Sequence, residues 1–205
     1  MIAIIDYGVG NLFSLKSSFA AIGAETVVTG DPAVIRRADK LILPGVGAFG
    51  DAAELLRQDG LDKLVIEASK SGKPLLGICL GMQLLFDYSL EYGRHEGLGL
   101  IPGSVRPIGD YVPAGYKIPH IGWNALRFPA GKPVSPLFRH IREGDCVYFV
   151  HSFCGAECED SVIATAEYGG SLTAAVAREN VFGVQFHPEK SGEAGLNILR
   201  AFCGS

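Results

Sequence analysis

Along the first hundred residues, short apolar runs alternate with stretches of helical periodicity. The runs that predict strands, most of them continuous as in a sheet covered on both faces, are Ile2–Ile5, Thr26–Val28, Leu41–Leu43 and Leu75–Ile78. The stretches that predict helices are Leu12–Ile22, which ends at Gly23, about Ala52–Ser71 with an interruption near Gly60, and Gly81–Tyr88. This alternation predicts an α/β fold with an open, largely parallel (mixed) central sheet flanked by helices.

Beyond Gly97 the pattern changes. Seven prolines between positions 102 and 136 indicate loops and short edge strands, because proline removes a donor from the hydrogen-bond ladder. The later strands are predicted at Val147–Val150, Val162–Glu167, Leu172–Ala177 and Val181–Phe186, and a closing helix at Gly192–Phe202. We find no repeat or low-complexity linker, so residues 1–205 are predicted to form a single domain.

Composition excludes several classes of protein. The 205 residues are 48% hydrophobic and 20% charged, which is typical of a globular chain with a buried core. A net charge of −4 argues against nucleic-acid binding. No apolar run approaches the roughly 18 residues of a membrane span, and no secretory signal precedes Ile2. Five cysteines at irregular spacing suggest free thiols in a reducing compartment, and therefore a cytoplasmic protein.

The segment Gly77–Gly81 has the pattern Gly-x-Cys-x-Gly between a predicted strand and a predicted helix, the thiol form of a nucleophile elbow. Such a turn lifts Cys79 above the strand ends, and the helix that follows favours a thiolate there. Taken alone, the pentapeptide is equally compatible with a small buried cysteine at a glycine-rich strand end.

A thiol nucleophile needs a base, and the base needs a group that orients it. His187 and Glu189 flank Pro188 at the end of a predicted strand, so Glu189 can hold the imidazole in the tautomer that accepts the thiol proton. A surface histidine at a strand end is the alternative. The other histidines are weaker candidates for the general base, and we expect His120 and His151 to be structural or to lie at an interface.

The glycine-rich loop Leu43–Gly50 follows another strand and can face Cys79, because sites in parallel sheets form beyond the carboxyl ends of the strands. Its backbone and the N–H of Leu80 can form an oxyanion hole, although such a loop taken alone is more often an ordinary glycine turn. Gly8–Gly10 lacks the third glycine of a dinucleotide fingerprint, and no phosphate loop is present. Cys154 and Cys158 lack a second ligand pair, so neither a metal nor a cofactor is expected.

Together these residues resemble those of class I (triad) glutamine amidotransferases, and within that class the glutaminase subunits of imidazole glycerol phosphate synthase. The resemblance covers essentially the whole chain and rests on Asp6–Leu12, Pro44–Phe49, Gly77–Gln83, Pro119–Asn124, Val150–Ser152 and Gln185–Ser191. The cysteine elbow and His-Pro-Glu mark the superfamily. The Gly-Val-Gly loop, the His-Ile-Gly-Trp-Asn segment and Lys190-Ser191 narrow the resemblance to the glutaminase subunits of the synthase.

The resemblance implies an activity and a set of residues. Cys79, His187 and Glu189 would hydrolyse glutamine to glutamate and ammonia through a thioester. The positions implied for the oxyanion hole and for substrate binding are Val46, Gly47, Leu80, Gln83, Glu91, Ser152 and Phe153. A (β/α)8-barrel synthase subunit would receive the ammonia, forming imidazole glycerol phosphate and an aminoimidazole carboxamide ribotide in histidine biosynthesis. The positions implied near that partner are Asn11, His120, Trp123, Tyr148 and Lys190.

One departure and three alternatives accompany this resemblance. The family usually has Tyr where this chain has Phe153, which puts a side-chain hydrogen bond there in doubt while backbone contacts survive. The alternatives are the glutaminase of pyridoxal phosphate synthesis, a cysteine hydrolase of γ-glutamyl peptides and a catalytically silent binding subunit. The flexible Gly45–Gly47 turn also suggests a weak glutaminase that is switched on by its liganded partner.

Overall fold

The computed structural model describes residues 1–204. In chain order its strands are β1 (Ile2–Ile5), β2 (Thr26–Thr29), β3 (Lys40–Leu43), β4 (Leu75–Ile78), β5 (Tyr88–Ser89), β6 (His95–Glu96), β7 (Ser104–Pro107), β8 (His120–Arg127), β9 (Cys146–His151), β10 (Phe153–Ala156), β11 (Val162–Glu167), β12 (Ser171–Arg178) and β13 (Val181–Val184). Its α-helices are α1 (Leu12–Ala21), α2 (Pro32–Arg37), α3 (Phe49–Gln58), α4 (Leu61–Lys70), α5 (Leu80–Leu84) and α6 (Gly192–Cys203). Short 3₁₀ helices occupy Ile108–Asp110, Pro136–Phe138 and Pro188–Lys190.

Within residues 1–204, nine strands form a central sheet in the order β2-β1-β3-β4-β13-β12-β11-β8-β9. The first five strands in this order, β2, β1, β3, β4 and β13, are parallel to one another. The remaining four, β12, β11, β8 and β9, each pair antiparallel with the strand before them in the order. A second sheet has the order β10-β7-β5-β6. The predicted fold class, a mixed sheet with a parallel core, is confirmed.

Helices cover both faces of the parallel half. Successive residues of a strand point to opposite faces, and β3 shows this directly. Leu41 and Leu43 join the core that contains side chains of α2, α3 and α4, whereas Ile42 joins the core under α1 and α6. Because both faces are buried, the strands of this half are apolar at nearly every position, which is the pattern that made them predictable.

Three predictions of secondary structure were wrong. The helix predicted over Gly81–Tyr88 ends at Leu84, because backbone N–H groups of Leu98 and Leu100 bind the carbonyls of Leu84 and Leu85 from outside the helix. Helix α2 was missed, although Asp31 caps it by accepting a hydrogen bond from the N–H of Ala33. Strand β8 is an eight-residue strand inside the main sheet, where loops and short edge strands were expected.

The break predicted near Gly60 is confirmed, since α3 and α4 meet there. Strand β11 has the predicted bounds. In the described part of the chain, the helices are all too short or too polar to cross a bilayer.

Candidate active site

Cys79 stands on a strained turn between β4 and α5. Its backbone has φ 54° and ψ −114°, a conformation that costs a non-glycine residue about 1–3 kcal/mol. Two contacts hold it there: the Cys79 N–H donates to the carbonyl of Val184 at 2.8 Å, and Gly81 packs against β3. A Cβ at Gly81 would lie 1.8 Å from the carbonyl oxygen of Leu43, so this position admits only glycine.

His187 reaches the same site from β13, the strand that pairs in parallel with β4. Its backbone N–H donates to the carbonyl of Tyr148 at 2.9 Å. The hydroxyl of Ser191 donates to the His187 carbonyl at 2.6 Å and accepts from the N–H of Tyr148 at 2.9 Å. The segment after β13 is thereby tied to β9, which fixes the position of the imidazole.

Glu189 orients that imidazole. His187 Nδ1 lies 2.8 Å from Glu189 Oε1, and both side chains are buried. Burial alone lowers the pKa of His187, but hydrogen bonds to Cys79 and Glu189 outweigh it and raise that pKa to about 9. Since Nδ1 is engaged by Glu189, Nε2 is left for the sulfur. At neutral pH the imidazole of His187 is therefore protonated on both nitrogens, and it lies between the Glu189 carboxylate and the Cys79 sulfur.

Gln185 is a member of the site that the sequence reasoning missed. Its side chain is fully buried; Nε2 donates to Cys79 Sγ at 3.8 Å, and Oε1 accepts from Gln83 Nε2 at 3.0 Å. The available signal was a glutamine inside an otherwise apolar strand end, since a buried amide needs partners.

A cavity of about 310 Å³ opens beside the sulfur. Its wall contains all seven residues predicted for the oxyanion hole and for substrate binding, together with Cys79, His187, Pro119, Val150 and His151. Glu91 is buried there, and its Oε2 accepts from the N–H of Phe49, the first residue of α3, at 2.7 Å. The Phe153 carbonyl accepts from Gln83 Nε2 at 3.1 Å, so Phe153 contributes through its backbone.

Backbone donors lie on two sides of this cavity. The first bond inside α5 runs from the Gln83 N–H to the Cys79 carbonyl, so the N–H of Leu80 precedes the intrahelical ladder. Across the cavity, Gly47 has φ +102°, which lets the loop present Val46 and Gly47 to the pocket.

The five residues predicted for the partner surface are only partly brought together. Trp123 and Tyr148 pack edge to face with ring centres 6.1 Å apart, and Lys190 Nζ lies 5.9 Å from the Tyr148 ring centre. Asn11 lies half-buried just before α1. His120, in contrast, is 1% exposed, so its side chain lies inside the protein rather than on a surface.

The remaining cysteines stand apart from this chemistry. Burial raises the pKa of Cys154 to about 12 and that of Cys158 to about 11, which leaves both as unreactive thiols beside a separate cavity of about 640 Å³. Among residues 1–204, no three His, Cys, Asp or Glu side chains are grouped to hold a metal ion.

A cysteine on an elbow, a His-Pro-Glu turn beside it and a parallel sheet beneath both define a class I glutamine amidotransferase. The family description "Glutamine amidotransferase class-I" matches residues 3–204, and the chain belongs to this family. Within it, the chain belongs with the subunits named HisH of imidazole glycerol phosphate synthase. It is 49% identical to that subunit from Wolinella succinogenes, over 99% of this chain and 98% of the relative, and 47% identical to the one from Oceanobacillus iheyensis, over 98% of each.

Solved structures share the fold at lower identity. PurLQS from Thermotoga maritima superposes with a TM-score of 0.76 at 21% identity, covering 99% of this chain and 97% of that one. A structure described as a glutamine amidotransferase gives 0.75 at 18% identity, covering 99% of this chain and 100% of that one.

Proposed function

We propose that this chain hydrolyses glutamine to glutamate and ammonia at Cys79 and hands the ammonia to a (β/α)8-barrel synthase subunit. One observation carries the proposal: Cys79, His187 and Glu189 form a hydrogen-bonded series at the wall of a cavity that Gln83 and Glu91 also line. The membership of the chain in the HisH family supports the same activity.

Thioester formation comes first. In the resting site the proton of the Cys79 thiol already lies on His187, whose imidazolium Glu189 stabilises, and the thiolate attacks the side-chain carbonyl carbon of glutamine. The carbonyl oxygen gains negative charge, and the N–H of Leu80 with those of the Val46–Gly47 loop stabilises it. Gln185, which donates to the sulfur, keeps the nucleophile aimed at the cavity.

His187 then passes its proton to the nitrogen, the C–N bond breaks, and ammonia leaves a glutamyl thioester on Cys79. Water enters, His187 accepts one of its protons, and hydroxide adds to the thioester carbon. The C–S bond breaks as the thiolate leaves, and glutamate departs. The sum is one glutamine and one water giving one glutamate and one ammonia, with the enzyme unchanged and no cofactor required.

Other residues of the cavity wall recognise glutamine. We assign the buried Glu91 to the substrate α-ammonium group, because one of its oxygens is held by Phe49 and the other is free to accept. Gln83, one turn after Cys79, and the backbone of Ser152 and Phe153 complete the contact with the head group. Burial of these groups favours a ligand that satisfies each of them.

The ammonia needs a dry exit. Protonated ammonia in water is no nucleophile, so transfer to a synthase partner requires an interface that excludes solvent. Residues beside the cavity expose apolar side chains, Ile121 by 57% and Trp123 by 55%, next to Tyr148 and Lys190. We assign this surface to a heterodimer with the barrel subunit, in the cytoplasm, where five free thiols are suited to a reducing environment.

The test is to trap the intermediate. The chain is mixed with glutamine and the liganded barrel subunit, quenched in acid and measured by intact-protein mass spectrometry. A glutamyl adduct is expected on the wild type and on the control Cys146→Ala, whose thiol is exposed and remote in sequence, but not on Cys79→Ala. Absence of both the adduct and glutamate release in the wild type would instead mean a silent binding subunit.

A further inference from the structure

His151, which lies in the wall of the glutamine cavity, forms a buried pair with His120. His151 Nδ1 lies 2.8 Å from the carbonyl oxygen of Phe153, the same oxygen that accepts from Gln83 Nε2. His151 Nε2 lies 3.0 Å from His120 Nδ1. The two rings therefore connect the Gln83 amide to strand β8.

The Phe153 carbonyl depends on these side-chain donors. In the second sheet β10 is an edge strand, and its neighbour β7 is followed by Ile108, whose N–H donates to the Ser152 carbonyl. Carbonyls alternate in direction along a strand, so that of Phe153 faces away from β7 and outside the ladder. His151 and Gln83 supply the two hydrogens that its oxygen can accept.

The outer end of the pair has a different partner. His120 Nε2 lies 2.9 Å from Asn124 Oδ1, and Asn124 Nδ2 donates to the Glu167 carbonyl at 2.7 Å, which fixes which end of the amide faces the ring. The two rings therefore have an acceptor at each end and one contact between them. All three contacts require a hydrogen.

Two neutral imidazoles carry only two ring hydrogens. Burial lowers the pKa of His151 to about 4 and also lowers that of His120, so both rings are neutral at pH 7 and one contact lacks its hydrogen. The outer contact is the least costly to lose, because Asn124 is only half-buried and water can reach its amide. His120 itself is stacked between Phe149 and Tyr168 and is held in place.

We propose that His151 is a positioning residue for the glutamine cavity, held by His120 as the Nδ1–H tautomer so that it donates to the Phe153 carbonyl. This carbonyl in turn fixes the Gln83 amide and the Ser152–Phe153 wall. His151 has no part in the acid–base steps assigned to His187, so we expect it to act on substrate binding. The inference rests on the proposed glutaminase function.

Two amide variants separate the nitrogens of His151. In His151→Asn the side-chain nitrogen takes the place of Nδ1 and still reaches Phe153, whereas in His151→Gln it takes the place of Nε2 and does not. We expect KM for glutamine near the wild-type value in His151→Asn and raised roughly three- to tenfold in His151→Gln, with kcat little changed in both. Equal KM values in the two variants would overturn the proposal.

Alkylation of Cys79 by iodoacetamide serves as the internal control, because it needs the thiolate but no glutamine pocket. Its rate is expected to be the same in both variants and in the wild type, and a slower rate in His151→Gln alone would mean that the residue acts on the nucleophile instead.

A direct readout needs no activity at all. Nitrogen-15 NMR of the wild-type chain should assign the hydrogen of His151 to Nδ1, the nitrogen that faces the Phe153 carbonyl. A wild-type hydrogen on Nε2 would overturn the proposal even if the variants fail to fold. If wild-type glutaminase activity is absent while the Nδ1–H tautomer is found, the proposed function fails and the hydrogen-bond assignment stands.

Discussion

His187 Nδ1 and Glu189 Oε1 are 2.8 Å apart although one residue separates them in the chain. The contact is possible because Pro188–Lys190 forms a single turn of 3₁₀ helix, which brings the Glu189 carboxylate back beneath the imidazole. Base and orienting group therefore move as one unit, and Ser191 fastens that unit to β9. The turn thus supplies one of the two hydrogen bonds that raise the pKa of His187, and Cys79 supplies the other.

Replacing Glu189 with glutamine should shift the pH dependence of catalysis. Thioester formation needs a protonated His187 to release nitrogen, so kcat/KM of the wild type should fall as pH rises through about 9, the raised pKa of His187. An amide cannot stabilise the imidazolium, so in Glu189→Gln the fall should begin at lower pH, and kcat/KM should be about 10²- to 10⁴-fold smaller. The control is Glu193→Gln, which removes an exposed ion pair with Arg200. An unshifted alkaline limb would contradict the role of Glu189.

Cys79→Ala should separate the two half-reactions of the complex. Glutamine-dependent synthesis should disappear because the thioester cannot form, whereas synthesis from added ammonium salt should persist because the synthase partner carries out that step. Both rates are measured with purified complex, and Cys146→Ala serves as the matched cysteine control. Loss of both activities would refute the proposed division of labour.

Gly81→Ala should unfold the chain more readily than an ordinary glycine substitution. The new Cβ would meet the Leu43 carbonyl at 1.8 Å, so β3 and α5 would have to separate, and we expect the free energy of unfolding to fall by more than about 4 kcal/mol. Gly60→Ala is the comparison: its φ of 67° costs about 1 kcal/mol, but its Cβ meets nothing within 4 Å. Urea denaturation measures the free energy of unfolding of both variants. Equal decreases in the two would show that steric contact at Gly81 is unimportant.

The isolated chain should be a weak glutaminase that its partner activates. The loop with Val46, which is 43% exposed, and Gly47, with φ +102°, is free to reorient its peptide groups until docking aligns them with the oxyanion. Glutamate release should rise at least tenfold when the liganded barrel subunit is added, an effect of about 1.4 kcal/mol in transition-state stabilisation. Equal rates with and without it would rule out activation.

Lys190→Ala should impair coupling more than chemistry. Its ammonium group lies over the ring of Tyr148, which packs against Trp123, and Lys190 does not line the glutamine cavity. We expect weaker docking or a larger share of ammonia lost to solvent, measured as glutamate formed per product synthesised. Lys63→Ala, at an exposed position of α4, should leave that ratio unchanged. A raised KM for glutamine with unchanged coupling would contradict this assignment.

The parallel half of the fold was predictable because its strands are buried on both faces. β1 and β4 contain only apolar residues and glycine, and β3 contains one charged residue, Lys40, at its start. Such runs can be recognised as strands without knowledge of distant contacts. Strand β8 was not predictable in this way. Ile121 and Trp123 point outward on it, so the apolar side chains mark its exposed face, and its pairing with β9 and β11 is set by the tertiary fold.

The residues of the candidate site likewise separate into those that a local sequence pattern predicts and those that depend on the tertiary fold. Cys79 and the His187–Glu189 pair were found because short-range spacing expresses their chemistry. The partners of the Gln185 amide and the burial of His120 depend on which strands lie side by side, and the sequence near these residues does not show that.

The parallel pairing of β4 with β13 joins segments 106 residues apart in sequence. During translation the thiol of Cys79 emerges from the ribosome long before His187 is synthesised. A nascent chain therefore has a nucleophile without its base, and glutamine cleavage begins only when the last strand has been inserted between β4 and β12.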